Sequence, residues 1–180
     1  HGHDITTVFE EIGRAGVVEP LLENAVLAGG LIADLGTPDQ HALVEAVMSG
    51  HHQLAFAHAE PGSRYDLSRV TTTARSDGRE FMLNGRKAVV SNGGFAQTLL
   101  VSARTAGEVE SEGGISLFLV PADAPGVSTR SYPKIDGGYA SEIELCDVEL
   151  PGTALLGSSG RAFPAIEARV CMAIAAVSAE

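Results

Sequence analysis

The sequence predicts an α+β protein with N-terminal helices, a middle antiparallel β-sandwich or barrel, and the start of a C-terminal helical bundle. Residues 1–50 carry apolar side chains at helical spacing, and the following segments are short, β-rich and separated by Asn, Asp, Gly and Pro. A helical pattern resumes at residue 161. We therefore predict a helical unit at 1–50, a β unit at 51–157, and at 158–180 the first helix of a truncated helical unit.

Three helices are predicted in the first 50 residues. Four apolar residues have the i, i+3, i+4, i+7 spacing of one buried helix face: Ile5, Val8, Phe9 and Ile12. Asp4 is the candidate cap of this helix. A second helix is predicted over residues 21–35. Thr37 followed by Pro38 is typical of a helix cap and a first helical residue, so a third helix is predicted to start there.

Seven segments of the middle unit have the length and composition of β-strands. They are residues 53–59, 69–75, 80–83, 87–91, 98–103, 115–120 and 142–150. Asn84-Gly85 separates two of them, and this dipeptide favours the positive φ angles of a tight hairpin turn. A β-hairpin over residues 81–90 is therefore predicted. Cys146, which alternates with Glu144 and Val148, is predicted to be a buried thiol.

Composition excludes several classes of protein. The 180 residues include 12 basic and 23 acidic side chains, with a formal net charge of −11 and 44% hydrophobic residues. This apolar content indicates a folded chain, and an acidic chain without clustered Lys and Arg is not expected to bind nucleic acid. The longest apolar runs are shorter than a membrane span, and no secretory leader precedes them. Two cysteines fit a reducing compartment, so we predict a cytoplasmic protein.

Common catalytic and cofactor motifs are missing from the sequence. It contains no phosphate-binding loop, no dinucleotide-binding glycine fingerprint and no nucleophile elbow. The histidines lack the spacing of metal ligands, so no metal site is predicted. Residues 157–160 precede the last helix and could present amide donors to an anion, although a helix cap and linker is the preferred interpretation.

Two segments have a composition that is unusual for simple strands. In residues 55–61 a strand ends in Glu60, which is held before Pro61, and a polar turn follows. In residues 85–94 a strand runs into a glycine turn. Backbone groups at two such strand ends suit the edge of a flat polar heterocycle, whose face an apolar strand residue can cover. Either segment alone is also typical of an ordinary strand and turn.

In this order and spacing, the segments resemble the acyl-CoA dehydrogenase family. Residues 59–66, AEPGSRYD, occupy the frame of its Thr-Glu-Pro-x-Ala-Gly-Ser-Asp signature. Residues 84–93, NGRKAVVSNG, match its Asn-Gly-x-Lys-x-Trp-Ile-Thr-Asn-Gly signature. Further matches lie at residues 102–105, 114–120, 124–127 and 148–157, so the resemblance covers nearly the whole chain.

Three departures from the family pattern affect the expected site. Ala59 stands where the family has Thr, Arg64-Tyr65 where it has Gly-Ser, and Val89 where it has Trp. A hydroxyl and an indole that would surround the flavin are therefore missing. The substituted residues are closer to the branch typified by the small subunit of pimeloyl-CoA dehydrogenase, which includes two-subunit dehydrogenases.

The resemblance implies α,β-dehydrogenation of an acyl-CoA thioester with FAD, as in fatty acid β-oxidation. It also implies a homo- or hetero-oligomer that passes electrons to electron-transfer flavoprotein. The family's catalytic base is a carboxylate of the C-terminal domain, beyond residue 180. No catalytic residue is therefore predicted here, and little dehydrogenase activity is expected of these 180 residues alone.

The family's motifs also imply which residues would hold FAD. By position, the backbone of Phe56, His58 and Ala59 would contact the pyrimidine edge of the isoalloxazine. In the second motif, Val89 would cover the ring face, with Val90 next to it. Ser91 would hydrogen-bond near N5.

Arg64 and Tyr65 are assigned to the substrate or to a nucleotide phosphate, by a charge-assisted fork and by stacking respectively. The alternative for Arg64 is a solvated loop charge. Glu60 and Asp66 are expected to order the loop rather than to act as acid or base. Two other functions stay open. One is a non-catalytic FAD-holding or structural subunit of a heteromeric dehydrogenase, and the other is a flavoprotein oxidase or monooxygenase.

Overall fold

The structure of the protein, a computed structural model, describes residues 2–180. Its helices are α1 (Gly2–Ala15), α2 (Gly30–Leu35), α3 (Pro38–Met48) and α4 (Phe163–Ala179). A π-helical segment (Leu22–Gly29) runs directly into α2, and a 3₁₀ turn (Gly152–Ala154) follows the longest strand. The strands of this part of the chain are β1 (Leu54–Ala57), β2 (Thr73–Ser76), β3 (Glu80–Ser91), β4 (Thr98–Arg104), β5 (Ile115–Pro121), β6 (Val127–Pro133), β7 (Tyr139–Pro151) and β8 (Leu155–Leu156).

The strands form one mostly antiparallel sheet in the order β6-β7-β3-β2-β4-β5-β8. β1 lies outside this path and pairs with β4. Both β1 and β2 run parallel to β4, β1 along its first residues and β2 at its last residue, Arg104. The predicted α+β class with a middle β region is therefore confirmed, with these two parallel pairings as a difference.

The sheet curls around an apolar core. Phe81 of β3 and Phe118 of β5 belong to strands that two others separate, yet their rings meet edge to face with centroids 4.9 Å apart. A second core lies between the sheet and the helices, where Leu31 of α2 and Ile166 of α4 pack with Leu100 of β4. The sheet thus packs one face on its own core and part of the other under the helices, and β4 is buried on both faces.

The hairpin predicted at Asn84-Gly85 is wrong, because β3 runs unbroken through both residues and pairs with β7. The two residues lie instead at a bulge, where the Asn84 side chain exchanges two hydrogen bonds of 2.9 Å with Asp147. Glycine is required at position 85 because a Cβ atom there would lie 2.7 Å from the Cα atom of Thr72. The actual hairpin joins β2 to β3 through residues 77–79.

The prediction of a buried Cys146 is also wrong, because this residue is exposed. Asp147, next to it, has a φ of 49° at the same bulge, and the alternation of β7 changes phase there. Cys146 therefore shares the outer face with Glu144, whereas Val148 turns into the core.

The strand predicted over residues 69–75 starts late, with Thr73 as the first residue of β2. The amides of Thr71 and Thr72 donate to the carboxylate of Glu60 over 2.7 and 3.0 Å. These amides are therefore not available to a neighbouring strand. The Glu60 side chain thus takes the place of a strand partner for these two amides.

In the helical region, the predicted helices are present with two corrections. α1 contains Asp4 in its first turn instead of starting after it, and Val8 on its predicted buried face is 55% exposed. Thr37 caps α3 as predicted: its hydroxyl accepts from the Gln40 amide, and the Gln40 side chain accepts from the Thr37 amide. Within residues 2–180, no helix has the length and apolar character needed to cross a membrane.

Candidate functional site

Residues 56–59, at the end of β1, lie beside residues 87–91, at the end of β3. The Ala88 amide donates to the Ala59 carbonyl over 2.9 Å. The Lys87 ammonium makes a second link, 3.2 Å long, to the carbonyl that precedes Ala59. The two segments therefore meet through Lys87 and Ala88, directly before Val89.

β3 bulges outward at Val89. Its pairing with β7 shifts between Lys87 and Val90, and Val89 has a φ of 53°, which is uncommon for a β-branched residue. The Val89 side chain is 61% exposed, whereas Val90 packs in the core of the sheet. Ser91, the next residue, is half-buried. The bulge therefore presents one apolar side chain outward, and Val90 can reach a ligand only through its backbone.

The end of β1 offers mainly backbone groups. Phe56 and His58 point to the same face of the strand, and their rings stack with centroids 5.4 Å apart and 5° between the planes. Phe56 is half-buried and His58 is buried, whereas Ala59 is exposed. A ligand that approaches this strand end therefore meets Ala59 first, whereas the His58 and Ala59 carbonyls already accept hydrogen bonds from Lys87 and Ala88.

A buried ion pair lies behind the two segments. Lys87 Nζ donates to Glu60 Oε1 over 2.7 Å, and the two side chains are 0% and 1% exposed. The Glu60 carboxylate also accepts from the amides of Thr71 and Thr72 and from the Thr71 hydroxyl. Glu60 therefore orders the loop, which is the role predicted for it, and it does so together with a lysine that the sequence did not identify as its partner.

Burial and mutual attraction set the charges of this pair. Burial alone raises the pKa of Glu60, but the Lys87 ammonium and the hydrogen bonds from Lys87, Thr71 and Thr72 outweigh it and lower that pKa to about 2. Burial lowers the pKa of Lys87 to about 8, and the Glu60 carboxylate opposes this shift. Both groups are therefore mainly charged near neutral pH.

His58 is held neutral beside this pair. Ser102 Oγ accepts from Lys87 Nζ over 3.0 Å and is hydrogen-bonded to His58 Nδ1 over 2.9 Å. Burial, and then the Lys87 charge, lower the pKa of His58 to about 4, and a hydrogen bond to the Leu67 backbone only partly opposes them. The imidazole is thus an uncharged structural group.

Arg64 and Tyr65, which are predicted to bind substrate or phosphate, lie in the turn after β1. Both side chains are exposed, Tyr65 completely, and Arg64 has a φ of 52°. Ser63 closes the base of the turn, since its hydroxyl donates to the Glu60 carbonyl over 2.9 Å. Asp66 accepts hydrogen bonds from the amide and the hydroxyl two residues further on, which is the ordering role predicted for it. The turn is anchored at its base and presents Arg64 and Tyr65 to solvent.

Arg104 is an organising residue that the sequence reasoning did not single out. Its buried guanidinium joins the segment before β2 to the loop between β4 and β5. It donates to five backbone carbonyls over 2.8–3.1 Å, those of Ser68, Val70, Val109, Ser111 and Gly113. Two signals were available in the sequence: Arg104 lies in the family match at residues 102–105, and it is the only charged residue of its strand.

A cleft of about 810 Å³ lies between the helices and the end of β3. Leu21 and Leu22 line its helical side, and Phe95 and Tyr139 line the other side with their rings edge to face, 5.5 Å apart. Among the predicted cofactor residues, Ser91 alone borders it. Its volume is in the range of small-molecule sites.

Comparison with known proteins identifies the protein family to which this chain is similar. Residues 55–148 match the family model described as "Acyl-CoA dehydrogenase, middle domain", and this range contains both converging segments. The acyl-CoA dehydrogenase FadE12 of Mycobacterium tuberculosis is 33% identical over 167 residues, which are 89% of this chain and 42% of that protein.

Solved structures agree with this match. Butyryl-CoA dehydrogenase from Megasphaera elsdenii has a TM-score of 0.88 and 26% identity, covering 97% of this chain and 47% of that one. The Tcur3481-Tcur3483 steroid ACAD has a TM-score of 0.84 and 26% identity, covering 97% and 46%. The chain spans less than half the length of these relatives. By its matched β region and its overall fold, this chain belongs to the acyl-CoA dehydrogenase family.

Proposed function

We propose that the chain supplies the FAD-holding part of an acyl-CoA dehydrogenase, which oxidises the Cα–Cβ bond of an acyl-CoA thioester and passes the electrons to electron-transfer flavoprotein. The observation that carries the proposal is the convergence of residues 56–59 and 87–91 at an outward bulge, inside the range that matches the family. FAD supplies the redox chemistry in such a protein, and the chain binds and orients it.

The residues around the bulge fit a flavin ring. The exposed position of Ala59 suits the edge of an isoalloxazine, and the outward Val89 side chain suits its face. The half-buried Ser91 hydroxyl suits a hydrogen bond near N5. Phe56 and His58 stack on each other and keep this end of β1 in place. The site thus combines polar groups for the ring edge with an apolar cover, and both are what this cofactor requires.

We assign the acyl-CoA to the 810 Å³ cleft. Ser91 borders both this cleft and the proposed flavin position, so a thioester in the cleft would lie next to the ring. Phe95 and Tyr139 offer an aromatic wall to an acyl or pantetheine chain. Arg64 is assigned to a phosphate group, which its guanidinium can bind in two-pronged fashion, and Tyr65 to stacking on a neighbouring ring.

A second candidate is an FAD-holding, non-catalytic subunit of a heteromeric dehydrogenase. Ala59 and Val89 supply neither the hydroxyl nor the indole that the family's motifs have at these positions. The likeness to the Tcur3481-Tcur3483 steroid ACAD, whose name joins two components, supports this candidate.

The visible absorbance of the purified protein tests both candidates. Oxidised flavin absorbance, present on purification or after adding FAD, is expected of these 180 residues. Anaerobic addition of acyl-CoA is expected to bleach it when a C-terminal domain with the family's carboxylate base is also present. Bound flavin that no acyl-CoA bleaches even then supports the non-catalytic subunit, and bleached flavin that oxygen rapidly reoxidises supports an oxidase. A protein that takes up no FAD contradicts every one of these functions.

Replacing Ser91 with alanine is expected to weaken FAD binding by about three- to tenfold, because one hydrogen bond is worth about 1 kcal/mol. Fluorescence quenching of added FAD measures this affinity. Ser76→Ala, at an exposed position of β2, is the control and is expected to bind FAD as the wild type does. Equal affinity of the Ser91→Ala variant and the wild type would remove Ser91 from the proposed site.

A further inference from the structure

On the basis of the proposed FAD site, we infer that Lys87 is a positioning residue that shapes this site before the cofactor binds. Its buried ammonium ties the end of β1 to the root of the bulge in β3. The side chain is 0% exposed, so it does not touch the ligand itself. It acts through the backbone that it holds, while Val89 faces outward and Ser91 is half-buried.

The three acceptors of Lys87 lie in two parts of the chain, two of them just after β1 and one in β4. Nζ donates to the His58 carbonyl of the first segment (3.2 Å), to Glu60 in the following turn (2.7 Å) and to Ser102 Oγ in β4 (3.0 Å). An ammonium has three N–H donors, so these contacts use all of them. One side chain therefore fixes the end of β1 relative to both of its neighbours, β3 and β4.

Lys87 lies directly before the bulge of β3, so its contacts bear on the shape of that bulge. Lys87 is the last residue that pairs regularly with β7, opposite Ile143, before the pairing shifts. The next residue, Ala88, turns its amide away from β7 to the Ala59 carbonyl, and Val89 then takes up its positive φ. The hydrogen bonds of Lys87 thus fix the residue at which the bulge begins and how far Val89 projects from the strand.

Stability alone does not account for a lysine at this position. Burying an ammonium and a carboxylate carries a desolvation cost that apolar side chains of similar volume avoid, and such replacements are often neutral or stabilising. An apolar side chain would fill the same space without bonding to the His58 carbonyl. The pair is better explained by the segments that it joins than by its contribution to stability.

Three variants separate positioning from stability: Lys87→Met, Glu60→Gln and the double variant Lys87→Met/Glu60→Gln. Each single variant leaves one buried charge without its partner and is expected to lower the melting temperature. The double variant removes both charges and is expected to regain most of this loss. The matched control is Arg86→Met/Glu144→Gln, which removes an exposed ion pair at the adjacent position of β3.

In the double variant, FAD is expected to bind about tenfold or more weakly than to the wild type even though the melting temperature recovers. The absorbance maximum of bound FAD is expected to shift. Without FAD, the amides of residues 57–59 and 88–91 are expected to exchange hydrogen faster. The control variant is expected to stay within about twofold of the wild type in affinity and exchange.

Wild-type FAD affinity and exchange rates in the double variant would overturn the inference, because the pair would then be purely structural. If the wild-type protein takes up no FAD, the proposed function fails, while the exchange rates still decide whether Lys87 positions the two segments. If the double variant does not fold, Ser102→Ala replaces it, since this change removes one anchor of Lys87 and keeps the ion pair. Faster exchange at residues 88–91 in that variant supports the inference, and unchanged exchange contradicts it.

Discussion

Replacing Arg104 with leucine is expected to lower the free energy of unfolding by about 3–5 kcal/mol. The guanidinium is buried and donates to six backbone carbonyls of two segments, to five of them over 2.8–3.1 Å and to that of Ala106 over 3.4 Å. A leucine side chain fills part of the same volume but removes the guanidinium donors of these carbonyls, of which Val109 alone keeps a backbone donor, the Val70 amide. Urea unfolding followed by circular dichroism measures the loss.

Two variants make this result specific. Arg104→Lys keeps the charge but has three donors on a single nitrogen, so it is expected to recover only part of the loss. Arg75→Leu, at an exposed position of β2, is expected to change the free energy of unfolding by less than about 0.5 kcal/mol. If Arg104→Leu is as mild as the Arg75→Leu control, the carbonyls have other partners and Arg104 does not organise the two segments.

The network around Arg104 is continuous with the candidate site. The carbonyls of Ser68 and Val70 that it binds directly precede Thr71 and Thr72, whose amides bind Glu60. Two buried cations thus stabilise one loop. Arg104 holds the segment before β2, and this segment in turn helps to hold the carboxylate that pairs with Lys87. We therefore expect the replacement of Arg104 to alter the proposed flavin site as well, because this loop connects the two.

Local chemistry allowed much of the fold to be predicted. Thr37-Pro38 starts α3 as expected, because a cap and its first turn involve only neighbouring residues. The hairpin predicted at Asn84-Gly85 was wrong for the opposite reason. The turn preference of this dipeptide is local, but β3 pairs with β7, more than fifty residues further along the chain. Long-range pairing overrides a turn preference that is weaker than the ladder it would interrupt.

The candidate site shows the same division. Motif positions placed Phe56 to Ala59 and Val89 to Ser91 in two strand ends that the structure brings together. The partners of Lys87 were not predictable, since Glu60 lies 27 positions away and nothing in a single sequence pairs the two. Nor was the positive φ of Val89, because β-branched residues rarely adopt it and only the surrounding fold imposes it.

Acidification from pH 7 to pH 5 is expected to lower the free energy of unfolding by about 2 kcal/mol through His58 alone. Burial, then the charge of Lys87, lower the pKa of this imidazole from 6.5 to about 4 in the folded protein. Between these two values the unfolded chain binds a proton that the folded chain does not, so stability falls as the pH falls. Glu60 adds a second loss further down, between about pH 4.5 and 2, because its folded pKa is also lowered.

Single-site variants assign the first of these losses. His58→Asn removes the titrating ring, so its free energy of unfolding is expected to fall between pH 7 and pH 5 by about 2 kcal/mol less than that of the wild type. Urea unfolding at closely spaced pH values measures both slopes. A His58→Asn variant with the wild-type slope would mean that His58 is accessible to protons in the folded state, and that the network of Lys87, Ser102 and His58 is open to water.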